Sequence, residues 1–431
     1  MARPKAPTGE TLTWLHLSDL HACHPETGWD AAQVVTALVE DLQAMRDEHK
    51  LRPDLIFFTG DAAFGHLGDG GRSLPSQFEE AEQLFQKVRD LFDIPLDRFF
   101  VVPGNHDIHR GRVPKQLTYW LDTAATADEV IDLIRKGGHD WAQYMERLED
   151  YRAFLQSKDY DHLLGDPERL IYTQIRDIRG LKVGVAGFNT AWSCCRNAEK
   201  GRLWFGSRWQ VPKLRTELKE ADFRIALTHH PSNWFGEAED PAAERDLARD
   251  FHVHLHGHEH RDWVQESADG HARIAAGACY AGSKDEKGYN FVRLEVEQLS
   301  GRIGRGEVWL REYNDRGARW VPGRIGGKTD KDGRWALGGG KIPVRRRKAQ
   351  PKSSPLEACI VPGDFAPAVA DVFVGRAEQL ESLRSYLLSE EWNGRPWRSA
   401  PSRECLEWVS PTWQIALPSR MCGTSQAATS A

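Results

Sequence analysis

Short apolar runs that end in acidic residues recur along the first part of this 431-residue chain. The runs TLTWLHLS at 11–18, DLIFFTGD at 54–61 and RFFVVPGNHD at 98–107 have the length and composition of buried strands. Apolar residues at helical spacing separate them at 29–50 and 77–93. This order of strand, helix, strand, helix and strand predicts a layered α/β sheet whose strand ends carry polar side chains.

The pattern changes after this first unit. Residues 113–165 have helical spacing and predict an inserted helical cap, whose aromatic residues include Tyr119, Trp120, Trp141, Tyr144, Tyr151 and Tyr160. These rings either form an ordinary helical core, which we favour, or line a cap and stack on a flat substrate group. Strand patterns return between residues 170 and 313, with helices predicted near 208–220 and 241–250. The whole pattern predicts a pair of mixed sheets covered by helices.

Composition limits the class of protein. With 40% hydrophobic and 28% charged residues, the chain can form a large core and carry a second module. The net charge of -6 argues against general coating of nucleic acid. Because the sequence has no membrane-length apolar run and no secretory signal, we expect a cytoplasmic protein without membrane contact. The seven cysteines form no CxxC pair, so we expect them to be reduced and without a metal role.

The sequence becomes rich in Gly, Lys and Arg after residue 322. Residues 323–370 predict a flexible linker because they lack the apolar content of a core. A chain ending near residue 330 is therefore expected to keep its fold. The RRRK run at 345–348 is either a solvated part of this linker, which we favour, or a contact for nucleic acid.

Five segments place metal-capable side chains at the ends of predicted strands: DLH at 19–21, GD at 60–61, GNHD at 104–107, HHP at 229–231 and GHEH at 257–260. Each segment alone has an ordinary interpretation as a turn, a cap or a core histidine, but all five together indicate one site. Two divalent cations need a bridging carboxylate and further oxygen and nitrogen ligands. Strand alternation is expected to put Asp19 and His21 on one side, while Gly60, Gly104 and Gly257 permit tight turns beside the cations.

The order D-x-H, GD, GNHD, HHP, GHEH resembles the signature of calcineurin-like metallophosphoesterases over residues 11–315. The resemblance implies a four-layer α/β/β/α sandwich of two mixed sheets flanked by helices, in a domain of residues 1–322 that includes the cap at 113–165. It also implies two divalent metal ions (Mn, Fe or Zn) and hydrolysis of a phosphate ester by a metal-bound hydroxide. We expect a phosphodiester of a nucleotide or nucleic acid, ahead of a phosphomonoester or a phosphoprotein. A non-catalytic metal-binding scaffold is the remaining alternative.

The same resemblance implies a role for individual residues. One ion would be held by Asp19, His21, Asp61 and His260, and the other by Asp61, Asn105, His229 and His258. Asp61 would bridge the two ions. His106 would contact the phosphate or assist the leaving group without binding metal, and Asp107 would orient His106.

For several residues beside these segments, the sequence gives weaker support for a role in the metal site. The remaining histidines are expected to be structural or to support the ligands: His230 and His256, and with less claim His16, His24, His109 and His271. Asn189 and Trp192 either approach the site or cap a strand and pack in the core. Arg110 and Arg112 either bind phosphate oxygens or are solvated.

A second resemblance lies near the end of the chain. DVFVGRAEQLESLRSYL at 371–387 resembles the lead-in to the phosphate-binding loop of STAND-type and AAA-like NTPases, so 371–396 is interpreted as a truncated lead-in. The parent protein would then carry an NTPase module in cis. The motif G-x-x-x-x-G-K-[ST] is missing here. Permitted codons from residue 397, read one base earlier, encode VAISALQGMPGVGKSYLADRF, which contains that motif. We therefore predict that 397–431 is a frameshifted, disordered tail, which sequencing of the coding DNA tests.

Overall fold

The computed structural model describes residues 10–23, 29–68, 71–196, 198–267, 270–280, 282, 286–297 and 302–337. The chain divides into a unit of residues 1–349 and a unit of residues 350–431, and all described residues lie in the first. The expected NTPase lead-in and frameshifted tail lie outside the described residues, as does the expected linker from residue 338 onward.

Helices and strands alternate through the described residues much as the sequence predicts. The helices are α1 (Trp29–Glu48), α2 (Leu74–Phe92), α3 (Lys115–Thr123), α4 (Ala127–Lys136), α5 (Gly138–Met145), α6 (Glu149–Ser157), α7 (Ser207–Glu217) and α8 (Asp240–Asp250). The strands are β1 (Glu10–Leu17), β2 (Leu55–Phe58), β3 (Phe99–Val101), β4 (Tyr172–Ile178), β5 (Leu181–Gly187), β6 (Phe223–Leu227), β7 (Val253–His256), β8 (Trp263–Glu266), β9 (Ala272–Ala275), β10 (Gly288–Glu297), β11 (Arg302–Asn314), β12 (Arg319–Pro322) and β13 (Arg334–Leu337). None of the helices in the described part of the chain has an apolar run long enough to cross a lipid bilayer.

The strands form two mixed sheets. The first has the order β12-β11-β10-β1-β2-β3, with β13 also paired to β11, and the second has the order β4-β5-β6-β7-β9-β8. In the first sheet, β1, β2 and β3 are parallel neighbours. In the second sheet, β5, β6, β7 and β9 are parallel neighbours. The predicted pair of mixed sheets is confirmed.

Apolar side chains join the layers. All four residues of β2 are buried, as expected for a strand covered on both faces. The rings of Trp14 on β1 and Phe223 on β6 lie 6.5 Å apart between centroids, so the two sheets pack against each other. On the outer side of the first sheet, the ring centroids of Phe85 on α2 and Phe58 on β2 lie 4.7 Å apart. Helices flank the sheets, and the predicted α/β sandwich is confirmed.

The parallel topology brings the polar loops together. The carboxyl ends of parallel strands lie at the same edge of a sheet, so the loops after β1 and β2 are neighbours. The backbone N–H of Asp19 donates to the carbonyl of Gly60, and that of His21 donates to the carbonyl of Asp61, both at 3.0 Å. An isolated bridge between Ala22 and Ala63 continues this pairing. The two loops are thereby held in register beyond the ends of their strands.

Residues 113–165 contain four helices, α3 to α6, as the sequence predicts. Of the six aromatic side chains that the sequence analysis names here, four are buried: Trp141, Tyr144, Tyr151 and Tyr160. The Trp141 ring packs 5.3 Å from that of Trp192, so it belongs to the core. Tyr119 is different, because 70% of it is exposed. The preferred interpretation of these rings as helical core therefore holds for the four buried ones.

The first sheet continues beyond the predicted domain end at residue 322. Strand β13 pairs antiparallel with β11, and Trp335 and Leu337 are 8% and 5% exposed. The linker expected to begin at residue 323 is thus corrected over residues 323–337. A few apolar positions in a Gly-rich stretch suffice here, because the segment adds to an existing strand and needs no core of its own.

Candidate metal centre

The seven predicted ligands lie at the carboxyl ends of five strands. Asp19 and His21 follow β1, Asp61 follows β2, Asn105 follows β3, His229 follows β6, and His258 and His260 follow β7. Both sheets therefore contribute to one cluster. Asp19, Asp61 and His229 are at most 1% exposed, so their polar atoms are almost removed from water.

One group of donor atoms surrounds Nε2 of His229. Oδ1 of Asn105 lies 3.0 Å from this nitrogen, and Nδ1 of His258 lies 3.1 Å from it. Oδ2 of Asp61 is also 3.1 Å away. Nδ1 of His229 lies 2.7 Å from the carbonyl oxygen of Thr59, which requires a proton on Nδ1 and leaves the lone pair of a neutral ring on Nε2. When His229 is neutral, lone pairs of oxygen and nitrogen face one another here, as they do around a shared cation.

A second group of donor atoms adjoins the first. Nε2 of His21 lies 3.6 Å from Oδ1 of Asp19 and 3.7 Å from Oδ2 of Asp61. Nε2 of His260 lies 3.3 Å from the same Oδ1 of Asp19. Oδ2 of Asp61 therefore belongs to both groups, which is the position a bridging ligand needs.

Backbone amides fix the other oxygen of each carboxylate. The N–H of His106 donates to Oδ1 of Asp61 at 2.7 Å. The N–H of His258 donates to Oδ2 of Asp19 at 3.0 Å. Each aspartate therefore points one oxygen at the backbone and the other into the cluster. This arrangement orients the carboxylates before any ion binds.

The loops reach this geometry through left-handed backbone conformations. The φ angles of Asp19, His21, Asp61, His258 and His260 lie between 47° and 72°, a region that costs free energy for residues other than glycine. Asp19 and His21 thus converge by a turn after β1, and the expected strand alternation is not the cause. Strained residues often cluster at functional sites, and five of the seven predicted ligands have this backbone.

Two glycines allow the loops to approach one another. A Cβ atom on Gly104 would clash with the Asp61 carboxylate, and one on Gly257 would clash with the side chains of Ser18 and Asp19. These positions need glycine because the backbone lies directly against a carboxylate.

The role of Asp107 in the structure differs from the predicted one. Its Oδ2 accepts from the N–H groups of Asp61 and Gly104 at 2.9 and 2.8 Å, and its Oδ1 accepts from that of Ala63 at 2.9 Å. Nδ1 of His106 instead pairs with the carbonyl oxygen of Phe64. The expectation that Asp107 orients His106 is therefore corrected. A carboxylate with three amide donors holds the loops after β2 and β3 together, and a backbone carbonyl orients the imidazole.

Gln77 is a supporting residue that the sequence analysis missed. It is fully buried at the start of α2, and its Oε1 accepts from the N–H groups of Phe64 and Gly65 at 2.9 and 3.0 Å. Gln77 thus fixes the backbone at Phe64, whose carbonyl oxygen pairs with Nδ1 of His106. The sequence contains a signal for this role: Gln77 is a polar residue between Leu74 and Phe78 on the apolar face of an amphipathic helix, and a buried polar side chain needs hydrogen-bond partners.

The electrostatics favour a positive charge in the cluster. Burial acts to raise the pKa of Asp61, but His229 and His106 bring it below its usual range. Burial acts to lower the pKa of His229, yet the Asp61 carboxylate raises it to about 9. His106 is dominated by burial, which lowers its pKa to about 4. Burial, with a contribution from Asp61, raises the pKa of Asp107 to about 7.

The weaker candidates contact neighbouring protein groups. Nδ1 of His230 lies 2.9 Å from Oγ1 of Thr190. The side-chain amide of Asn189 donates to the carbonyl of Arg169 at 3.0 Å. Arg112 lies 3.5 Å from Asp150.

The remaining histidines also have protein partners, except that His24 lies outside the described residues. His16 pairs with Thr59 at 3.0 Å, and His271 pairs with the carbonyl of Phe251 at 2.9 Å. Nδ1 of His256 lies 3.2 Å from the carbonyl oxygen of Gly257. The ring of His109 stacks on that of His66 at 4.2 Å. These contacts agree with structural or supporting roles.

Carboxylate, amide and imidazole groups gathered at the strand ends of a two-sheet α/β sandwich define a metal-dependent hydrolase. The family model described as calcineurin-like phosphoesterase matches residues 12–262. Since this match covers more than half of the chain, the protein belongs to the calcineurin-like phosphoesterase family and is a metallophosphoesterase. The described residues contain groups of histidine and aspartate that could hold a metal ion.

Solved structures show low sequence similarity to this chain. A dimetal phosphatase from Danio rerio is 12% identical with a TM-score of 0.39, and the match covers 70% of this chain and 96% of that one. GAP50, the anchor in the inner membrane complex of Plasmodium, is 15% identical with a TM-score of 0.37, and the match covers 78% of this chain and 90% of that one. The NAD nucleotidase of Haemophilus influenzae is 14% identical with a TM-score of 0.35, and the match covers 74% of this chain and 60% of that one. A comparison with curated proteins finds no match to this chain.

Proposed function

We propose that this protein hydrolyses a phosphodiester of a nucleotide or nucleic acid at a centre of two divalent cations. Asp19, His21, Asp61 and His260 would hold one cation, and Asp61, Asn105, His229 and His258 would hold the other. The single observation that carries this proposal is the position of Asp61, whose Oδ2 lies 3.7 Å from Nε2 of His21 and 3.1 Å from Nε2 of His229. One oxygen is thereby shared between two sets of ligands.

The donor atoms fit divalent cations. Nε2 of His21 and Oδ1 of Asp19, both in the second group of donor atoms, are buried and have no hydrogen-bond partner among the described residues. Buried polar atoms without a partner are costly, and a metal ion removes that cost. The mixture of carboxylate, amide oxygen and imidazole suits Mn, Fe or Zn. When bound, the cations would supply an activated water and neutralise phosphate charge.

His106 would act on the substrate. It lies beside the cluster, with its ring 4.6 Å from that of His21, and Phe64 holds its Nδ1. Nε2 is then the nitrogen that would donate to a phosphate oxygen or protonate the leaving oxygen. A carbonyl partner at Nδ1 is compatible with the protonated ring, in which both nitrogens donate. Since burial lowers the pKa of His106, the negative charge of the substrate would have to favour this proton.

Hydrolysis of two chromogenic esters tests the proposal. Purified protein would be freed of metal and supplied with Mn²⁺, and release of p-nitrophenolate from bis-p-nitrophenyl phosphate and from p-nitrophenyl phosphate would be compared. We expect Mn²⁺-dependent turnover with a higher kcat/KM for the diester. Higher kcat/KM for the monoester would replace the diesterase assignment by a phosphomonoesterase. Binding of metal without hydrolysis of either ester would favour a scaffold.

The resemblance at 371–387 supports a second part of this proposal, an NTPase module in cis in the parent protein. The coding DNA tests it, because a reading frame that encodes GMPGVGKS should adjoin codon 397. If no such reading frame exists, both the NTPase module and the frameshift are refuted.

A further inference from the structure

An open pocket lies on helix α3, in the insertion between β3 and β4. It has a volume of about 420 Å³, within the range of small-molecule sites. The residues that line it are Val113, Lys115, Thr118, Tyr119, Asp122 and Cys195. None of these residues belongs to the metal centre described above.

Chain connectivity and side-chain contacts link this pocket to the metal centre. Cys195 directly follows Cys194, whose Sγ lies 3.7 Å from Nε2 of His230. The ring of His230 in turn lies 4.5 Å from that of the predicted ligand His258. Helix α3, which supplies most of the lining, begins at Lys115, shortly after the loop of His106. The segments that line the pocket are therefore continuous along the chain with segments of the candidate centre.

Tyr119 gives the pocket an aromatic surface. With 70% of its area exposed, it is the most exposed large hydrophobic side chain among the described residues. The next, Trp263, is 46% exposed and contacts the ring of Trp335. A planar ligand in the pocket would cover the Tyr119 ring by stacking, which is favourable for any nucleobase.

The charges around Tyr119 suit an anionic ligand. Lys115 is exposed on the wall of the pocket. Asp122 forms an ion pair with Arg196, so its negative charge is compensated. An aromatic ring beside an available cation matches a base linked to a phosphate.

We propose that this pocket binds the nucleoside of a nucleotide diester, with the base stacked on Tyr119 and a phosphate oxygen near Lys115. This inference rests on the proposed phosphodiesterase function and specifies its substrate as one that contains a base. Tyr119 is then a specificity-determining residue. The hydrolytic centre itself would work without it.

A pair of substrates with the same leaving group tests this assignment. Thymidine 5′-(p-nitrophenyl phosphate) carries a base, and ethyl p-nitrophenyl phosphate does not. We expect Tyr119→Ala to lower kcat/KM for the thymidine ester about tenfold, as loss of one stacked base does, and to change that for the ethyl ester less than twofold. Tyr119→Phe keeps the ring and is expected to retain activity on both esters. Gln116→Ala, a change at another exposed position of α3, is the matched control.

Binding gives a second readout. Isothermal titration with thymidine 5′-monophosphate is expected to show about tenfold weaker binding to Tyr119→Ala than to the unaltered protein. Equal effects of Tyr119→Ala on both esters, or none on either, would overturn the assignment while leaving the phosphodiesterase in place. If the unaltered protein with Mn²⁺ hydrolyses p-nitrophenyl phosphate but neither diester, the nucleoside pocket is also overturned. Failure to hydrolyse any ester would contradict the proposed function itself.

Discussion

At the scale of single residues, Asp61 has the greatest effect on the proposed chemistry. Asp61→Ala removes the oxygen that faces both His21 and His229 and leaves two cations without their shared negative charge. We expect loss of metal and at least a 100-fold fall in turnover, because changes to groups that only support a ligand already cost about 10–100-fold. Metal content by mass spectrometry and Mn²⁺-dependent hydrolysis measure the two effects. Full metal content with normal turnover would refute the bridging role.

His106 is expected to behave differently from Asp61. His106→Ala removes a group that would donate to the phosphate or leaving oxygen but contributes no ligand atom to either proposed cation. Turnover is expected to fall by roughly 10²-fold or more while two metal ions remain bound. The same metal analysis checks this separation of roles. An empty metal site in this variant would make His106 a ligand and overturn the division.

At the scale of secondary structure, the sequence predicts the strands and helices well but not how the loops are shaped. Apolar runs locate β1, β2 and β3, and the five polar segments locate the candidate site. The left-handed turns at Asp19 and His21 have no such signal, because only a few per cent of all non-glycine residues adopt positive φ and residue type alone does not identify them. The pairing of His106 with the Phe64 carbonyl is likewise not encoded by side-chain type, so the sequence does not reveal that a backbone group, and not Asp107, orients this ring.

Strand β13 shows a second limit of sequence patterns. Its two buried residues, Trp335 and Leu337, lie in a Gly-rich context that resembles a linker. Their burial depends on β11, which is more than 20 residues earlier in the chain. A pattern confined to the segment cannot include that distant partner.

Truncation tests the contribution of β13. A chain ending at residue 337 keeps the strand, and a chain ending at residue 330 loses it. We expect the shorter chain to be less stable by about 3 kcal/mol or more, since two large buried apolar side chains are lost. Trp335→Ala in the full chain is expected to lower the Tm in the same direction, which separates the side chain from the effect of cutting. Equal Tm values for the two truncated chains would show that β13 does not stabilise the sheet.

At the scale of the whole molecule, the candidate centre joins both sheets, because its ligands follow strands of each. Cations that bind there would stabilise the folded state only. Mn²⁺ at 100 times its Kd is expected to add about 2.7 kcal/mol to the free energy of unfolding for one site, and a chelator should reverse this gain. Thermal unfolding with and without Mn²⁺ measures the shift. Asp61→Ala is the control and should not respond, so an equal Mn²⁺ response in that variant would place the stabilising ion elsewhere.

The central claim, two cations that share Asp61, is tested most directly by anomalous X-ray diffraction from crystals grown with Mn²⁺. We predict two anomalous peaks about 3.5–4 Å apart, with one carboxylate oxygen of Asp61 roughly 2.0–2.3 Å from each. His21 and His260 should be ligands of one peak, and His229 and His258 of the other. A single peak, or two peaks that Asp61 does not bridge, would contradict the claim.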